Sequence, residues 1–139
     1  MRQGWIAVLG AWAVIVLLAP AVQAEKTKVK AVKEWTGSVD DEKLAKEAPN
    51  CITNAKQLAN LWKTWKIQGK APKVNFKKEL VVVITVSGSK VNLSANLDEK
   101  GNLQVLGFGT RDLVPGFRYV IATVPRKGVK TVNGKELPK

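Results

Sequence analysis

Histidine is absent from this chain of 139 residues, and cysteine and tyrosine occur once each. Without imidazole there is no Ser-His-Asp or Cys-His pair to activate a nucleophile, no histidine general base and no imidazole ligand for a metal. The single cysteine, Cys51, excludes thiolate zinc clusters, Cys-x-x-Cys redox chemistry and a disulfide within the chain. No glycine-rich loop runs into Lys-Ser or Lys-Thr after a strand-like segment, so a nucleotide phosphate cradle is missing too. Neither a catalytic residue nor a cofactor is therefore expected.

Arginine is scarce in a chain that is otherwise strongly basic. Lysine and arginine total 23 against 11 acids, a formal net charge of +12, yet the only arginines beyond Arg2 are Arg111, Arg118 and Arg126. A charge of this size bears on solubility and anionic partners, not on fold. Arginine is the residue that reads phosphates and bases with paired hydrogen bonds, so a lysine-dominated surface disfavours nucleic acid as a partner. Two acidic motifs also fall short. Asn96-Leu-Asp98-Glu-Lys100-Gly101 starts like a calcium loop but places Lys100 at a ligand position and Gly107 where a closing Glu is needed. Asp40-Asp41-Glu42 has no opposing acid marked elsewhere and reads as a solvated patch, not as a glycosidase pair.

Long apolar runs are few, and the first is N-terminal. Met1-Arg2 precedes an apolar stretch from Trp5 to Leu18, then Ala-Pro-Ala-Val-Gln-Ala, and the chain turns charged at Glu25. This is the layout of a secretory leader. Val22 and Ala24 fill the small-residue positions, so cleavage is expected after Ala24. Residues 1–24 are then a signal peptide and 25–139 a single exported domain, periplasmic or extracellular. The competing reading is an uncleaved membrane anchor, but a spanning helix wants roughly 18 or more apolar residues and Pro20 stops this one short. Outside the cytoplasm, Cys51 is either a buried thiol or bridged to another molecule, and burial is the usual state of a free cysteine.

The rest of the chain alternates between two hydrophobic periods. From Glu25 to Thr36, Lys26, Lys28 and Lys30 alternate with Thr27, Val29 and Ala31, which predicts a strand; the alternation slips at Val32-Lys33, where a bulge or strand end is expected. Thr36-Gly37-Ser38 reads as a turn and Asp40 to Ala48 as a short exposed helix ended by Pro49. Thr53 or Asn54 caps the clearest element, with Gln57 placed as in a capping box. Leu58, Leu61, Trp62 and Trp65 then fall on one helical face, up to Gly69. Two tryptophans at this spacing beside two leucines predict a helix anchored on a sheet and not a stacking platform for a ligand.

Leu80 to Val86 is apolar on both alternating sets, the pattern of a central strand buried on both faces. Val91 to Leu97 and Leu103 to Phe108 alternate around the Asp98–Asn102 turn, with Gly101 supplying positive φ. Arg118 to Pro125 is a further strand, Val129 to Val132 a short edge strand, and Asn133-Gly134 a two-residue turn. The sum is an α+β domain: about five mostly antiparallel strands with one main amphipathic helix packed on them.

Two sets of residues are candidates for contact. The loop before the Arg118 strand combines Arg111 beside Asp112, a rigid Pro115-Gly116 turn, Phe117 and Arg118, and loops on rigid scaffolds often bind partners. Arg111 and Asp112 also fit a local ion pair that only shapes the loop. Lys26, Lys28, Lys30 and Lys33 would hold an anionic envelope polymer by charge alone, or simply keep the domain soluble.

The stretch from Ile52 to Val86 carries a capped helix with Leu61-Trp62, then Pro72-x-Val74-Asn75-Phe76-x-Lys78-Glu79-Leu80-Val81 and a hydrophobic strand. It resembles the C-terminal domain of PrcB-type proteins, an exported bacterial family associated with protease-complex stability. Tyr119-Val-Ile-Ala-Thr-Val124 is similar to the closing strand of those domains, whereas Ser87-Gly88-Ser89-Lys90 stands where they have a Thr-Gly-Gly-Tyr type turn. The resemblance implies a small non-enzymatic binding or stabilising domain and brings no catalytic residue. The expected partner is a protein of the bacterial envelope, such as a protease complex. The alternatives are an anionic polymer, or protease inhibition through Val114-Pro115-Gly116, although small exported inhibitors usually pin such loops with disulfides.

Overall fold

The computed structural model describes residues 26–139, so the expected signal peptide at 1–24 lies outside the described residues. The α+β class and the mostly antiparallel pairing hold, and one main helix packs on the strands. Nine strands occur among the described residues, split between two sheets where about five were expected in one. They are β1 Thr27–Val29, β2 Lys33–Val39, β3 Cys51–Ile52, β4 Glu79–Val86, β5 Val91–Leu97, β6 Asn102–Gly109, β7 Phe117–Pro125, β8 Thr131–Val132 and β9 Lys135–Glu136. The helices are α1, Lys43–Lys46, and α2, Ala55–Thr64.

A central sheet has the order β2-β7-β4-β3 and an outer sheet the order β1-β5-β6-β8-β9. The slip at Val32-Lys33 is where the chain leaves the outer sheet, after β1, and enters the central one as β2. Val32 N–H donates to the Thr123 carbonyl at 2.8 Å and Lys33 N–H to the Thr123 hydroxyl at 3.1 Å, which fixes that crossing and satisfies the buried threonine. Thr36-Gly37-Ser38, expected as a turn, lies within β2. All neighbouring pairs are antiparallel except β6 with β8.

The first half of β4 behaves as its sequence requires, with Leu80 to Val83 buried, whereas Ile84 to Val86, expected to be buried on both faces as well, are half-buried. Leu80 and Val82 face the outer sheet, packing with Ala95, Leu103 and Val105, while Val81 and Val83 face α2. On that second face Leu58, Leu61, Trp62 and Trp65 meet Ile121, Tyr119 and Phe117. Each large apolar side chain so buried contributes about 1.5–3 kcal/mol. The indole of Trp65 lies edge-on to Phe117 at 5.2 Å and tilted against Tyr119 at 5.1 Å, and Trp62 meets Trp35 edge-on at 6.1 Å. The tryptophans are helix anchors.

The cap of α2 is Asn54, whose side-chain oxygen accepts from Gln57 N–H at 2.9 Å. The Gln57 side chain reaches back to Thr53 N–H, one residue before the cap. The helix stops at Thr64, five residues before Gly69. Lys66 takes a left-handed φ of 52°, Ile67 N–H donates to the Trp62 carbonyl and Lys66 N–H to the Lys63 carbonyl. These are the two bonds of a Schellman cap, with lysine where glycine is usual. At the other predicted turns Gly101 has φ 84°, and Asn133-Gly134, at 49° and 78°, joins β8 to β9.

Candidate functional site

The loop between β6 and β7 was the best candidate from sequence, and its residues separate into two groups. Phe117 is only 2 % exposed and packs on Trp65, so it belongs to the core and cannot meet a partner. Gly116 is buried with φ 75°, and a Cβ there would collide with the Val39 backbone, so its role is to let the chain enter β7. Arg111, Asp112 and Pro115 are exposed, and Leu113 is 102 % exposed. The partners of Asp112 are Ser89, in the β4–β5 turn, and Thr110, two residues back in the same loop, and not Arg111. Its carboxylate accepts from Ser89 N–H at 3.0 Å and from the Thr110 hydroxyl, tying this loop to the β4–β5 turn. Hydrogen bonds from Ser89 and Thr110 hold its pKa below the usual carboxylate range. Arg118 is half-buried on β7, opposite Ser38 and Val86.

The four lysines do not form one surface. Lys26 donates to Gln104 Oε1 at 3.2 Å, and Lys28 stands opposite Asn96 on the edge of the outer sheet. Lys30 lies in the crossing, and Lys33 begins β2 in the other sheet. All four are exposed.

The weaker motifs have structural uses. Asp98 Oδ1 accepts from the N–H groups of Lys100 and Asn102, both at 2.9 Å, forming the turn. Asp41 Oδ1 accepts from Lys43 N–H at the start of α1. Among the described residues, no group of three His, Cys, Asp or Glu side chains is placed to hold a metal. Cys51 is a buried free thiol, and desolvation pushes its pKa up to about 11, against a smaller opposing effect of Arg126. At neutral pH it is protonated and a poor nucleophile. It adjoins an apolar hollow of about 370 Å³ between α1, β3 and α2, walled by Leu44, Ile52, Leu61, Trp65 and Pro138.

The sequence-based reading missed the far half of β6. In its first half Leu103 and Val105 face the core and Gln104 faces water. In the second half the polarity inverts. Gly107 and Gly109 point inward, where a Cβ would come within 3.0 Å of Ile84 and 2.9 Å of Val86 respectively. Leu106 and Phe108 point outward and are 42 % and 57 % exposed. The alternation of glycine with large apolar residues from Leu106 to Gly109 was the available signal.

This segment also has an open edge. β8 covers only Asn102 and Leu103 of β6. Asn133 N–H donates to the Leu103 carbonyl and Val105 N–H to Asn133 Oδ1 at 2.8 Å, so odd-numbered residues of β6 direct their backbone groups away from β5. Gly107 and Gly109 are next in that row, and among the described residues no strand lies beside them. A groove of about 240 Å³ runs there, between Val105, Gly107 and Asn133 on one side and Val83 to Thr85 of β4 on the other, with the segment from Ala45 to Asn50 also lining it. Comparison with family models, with curated proteins and with solved structures yields no match.

Proposed function

We propose that this chain is an exported, non-enzymatic binding domain whose partner is another protein, engaged as an extended segment along the open edge of β6. The observation that carries this reading is the combination at Leu106–Gly109: unpaired backbone groups of Gly107 and Gly109 beside the exposed side chains of Leu106 and Phe108. Backbone pairing would supply affinity, and the two apolar side chains would supply a preference for apolar positions on the incoming strand. Exposed edges are normally blunted by charge, proline or a bulge. None of these devices occurs between Leu103 and Gly109. The absence of histidine and the burial of the only thiol support a binding role over catalysis. The resemblance of residues 52–86 to PrcB-type domains supports an envelope protein, such as a protease complex, as the partner.

The test is affinity capture from envelope extract at low and high salt, with the native protein and with L106S/F108S. A protein retained at high salt by the native chain and lost by the double variant supports the reading. Cross-linking and backbone NMR on that pair would then place the contact at Gly107 and Gly109. Retention by both proteins moves the contact away from β6. Capture that disappears as salt rises favours the second reading, an anionic polymer held by Lys26, Lys28, Lys30, Lys33 and other lysines, because the Debye length falls from about 10 Å at 0.1 M to about 3 Å at 1 M.

A further inference from the structure

The opposite margin of the sandwich has its own cleft. β1 pairs with Ala95, Asn96 and Leu97 of β5, so among the described residues no strand lies beside the Val91–Ser94 half of β5 on that side. β2, across the gap, is the edge of the central sheet. The space between them is about 460 Å³, with Thr36 and Ser38 on one wall, Lys90 and Val91 on the other, and Arg118 of β7 also lining it.

The cleft is rich in donors. Arg118 is a five-donor guanidinium, one N–H of which donates to the Phe117 carbonyl at 3.4 Å, and Lys90 brings three N–H groups. The hydroxyls of Thr36 and Ser38 rotate to donate. Val91 adds a backbone donor. Thr110 N–H donates to the Lys90 carbonyl, so even-numbered residues of β5 bond toward β6 and Val91 N–H points to the open side. Among the described residues, no carboxylate lines the space. The nearest acid across the turn, Asp112, is already engaged by Ser89 N–H and the Thr110 hydroxyl.

The geometry points to an oxyanion site: a tetrahedral phosphate or sulfate group bound between the two sheets by Arg118, Lys90, the Thr36 and Ser38 hydroxyls and Val91 N–H. Two cations with three neutral donors exceed what a planar carboxylate employs and match an anion with three or four oxygens. The site is separate from the β6 edge and from the four N-terminal lysines. Its position at an open margin leaves room for the group to be either free or part of an ester.

The experiment is an NMR titration of the ¹⁵N-labelled protein with inorganic phosphate, sulfate and acetate at constant ionic strength. Phosphate or sulfate should shift the amides of Thr36, Ser38 and Val91 and the Arg118 side-chain N–H together, with one affinity. R118Q should weaken binding by about tenfold or more, the consequence of losing a charge-assisted pair. K90Q removes an exposed charge that holds no fold contact and should weaken it several-fold, while K135Q, on β9, should leave it unchanged. Glycerol phosphate binding more tightly than phosphate would place the anion on an ester, and the reverse order would mark a free anion; either supports the site. Shifts spread over all lysines, shifts indifferent to both R118Q and K90Q, or acetate matching phosphate would overturn it.

Discussion

The central and outer sheets pack against each other, yet they differ in what their faces meet. The central sheet is sealed on both sides, by α2 on one and by the outer sheet on the other. The outer sheet is sealed on one side only, and its other side presents Asn92, Ser94, Asn96, Gln104, Leu106 and Phe108 toward solvent. The lesson is a division of labour. Side chains of β4 and β7 are set by packing, so changing them reads out as stability. Outward side chains of β5 and β6 are under no such constraint, so an apolar residue there calls for another explanation.

The largest effect should come from the sealed side. Phe117→Ala is expected to lose about 3–5 kcal/mol, measured by urea denaturation, because the ring is buried against Trp65. A cost below about 1 kcal/mol would return Phe117 to the list of surface contacts. Next comes the layer between the sheets, where Cys51 lies. Its pKa in the folded protein, about 11, stands above the ordinary thiol value of 9.0, so the folded state holds the proton more tightly. Its contribution to stability is complete below pH 9 and declines as pH rises toward 11. The difference between native protein and Cys51→Ala should therefore narrow over that window in denaturation midpoints.

A smaller gain is available at the end of α2. Lys66→Gly relieves the left-handed backbone at φ 52° and should stabilise by about 0.5–1 kcal/mol, seen as a raised melting temperature. The smallest effect sharpens the contrast. L106S/F108S should change stability by no more than about 0.5 kcal/mol while abolishing partner capture. A large loss of stability in this variant would mean that the outer face packs on something within the chain, and the distinction between the two sheets would fail.

Much of this fold was legible because single segments declared it. Leu80–Val86 reads as a strand buried on both faces and is so from Leu80 to Val83, and Leu58, Leu61, Trp62 and Trp65 read as the anchoring face of a helix on a sheet, which they form. The slip at Val32-Lys33 was visible as well, but local alternation does not say that a chain changes sheets there. That depends on partners far along the sequence, Leu97 to Ala95 for β1 and Thr123 to Phe117 for β2. β3, with two residues, is too short to show any period. The loop candidates were half legible: Asp112 and Arg111 read as exposed and are, whereas Phe117 looked like a loop aromatic because its burial is created by Trp65, more than fifty residues earlier. Neither the β6 edge nor the Arg118 cleft is written in any one segment. Both arise where a strand outlasts its neighbour.

The crossing that carries β1 into β2 also dictates an order of events during folding. Among the described residues the strand beside β2 is β7, and the bond from Lys33 N–H to the Thr123 hydroxyl spans 90 residues. The central sheet therefore cannot close until β7 is available, and closing so long a loop slows the search for the native pairing. The β5–β6 hairpin, joined by a short turn, has no such wait, so the outer sheet can begin to form while β2 is still without its neighbour.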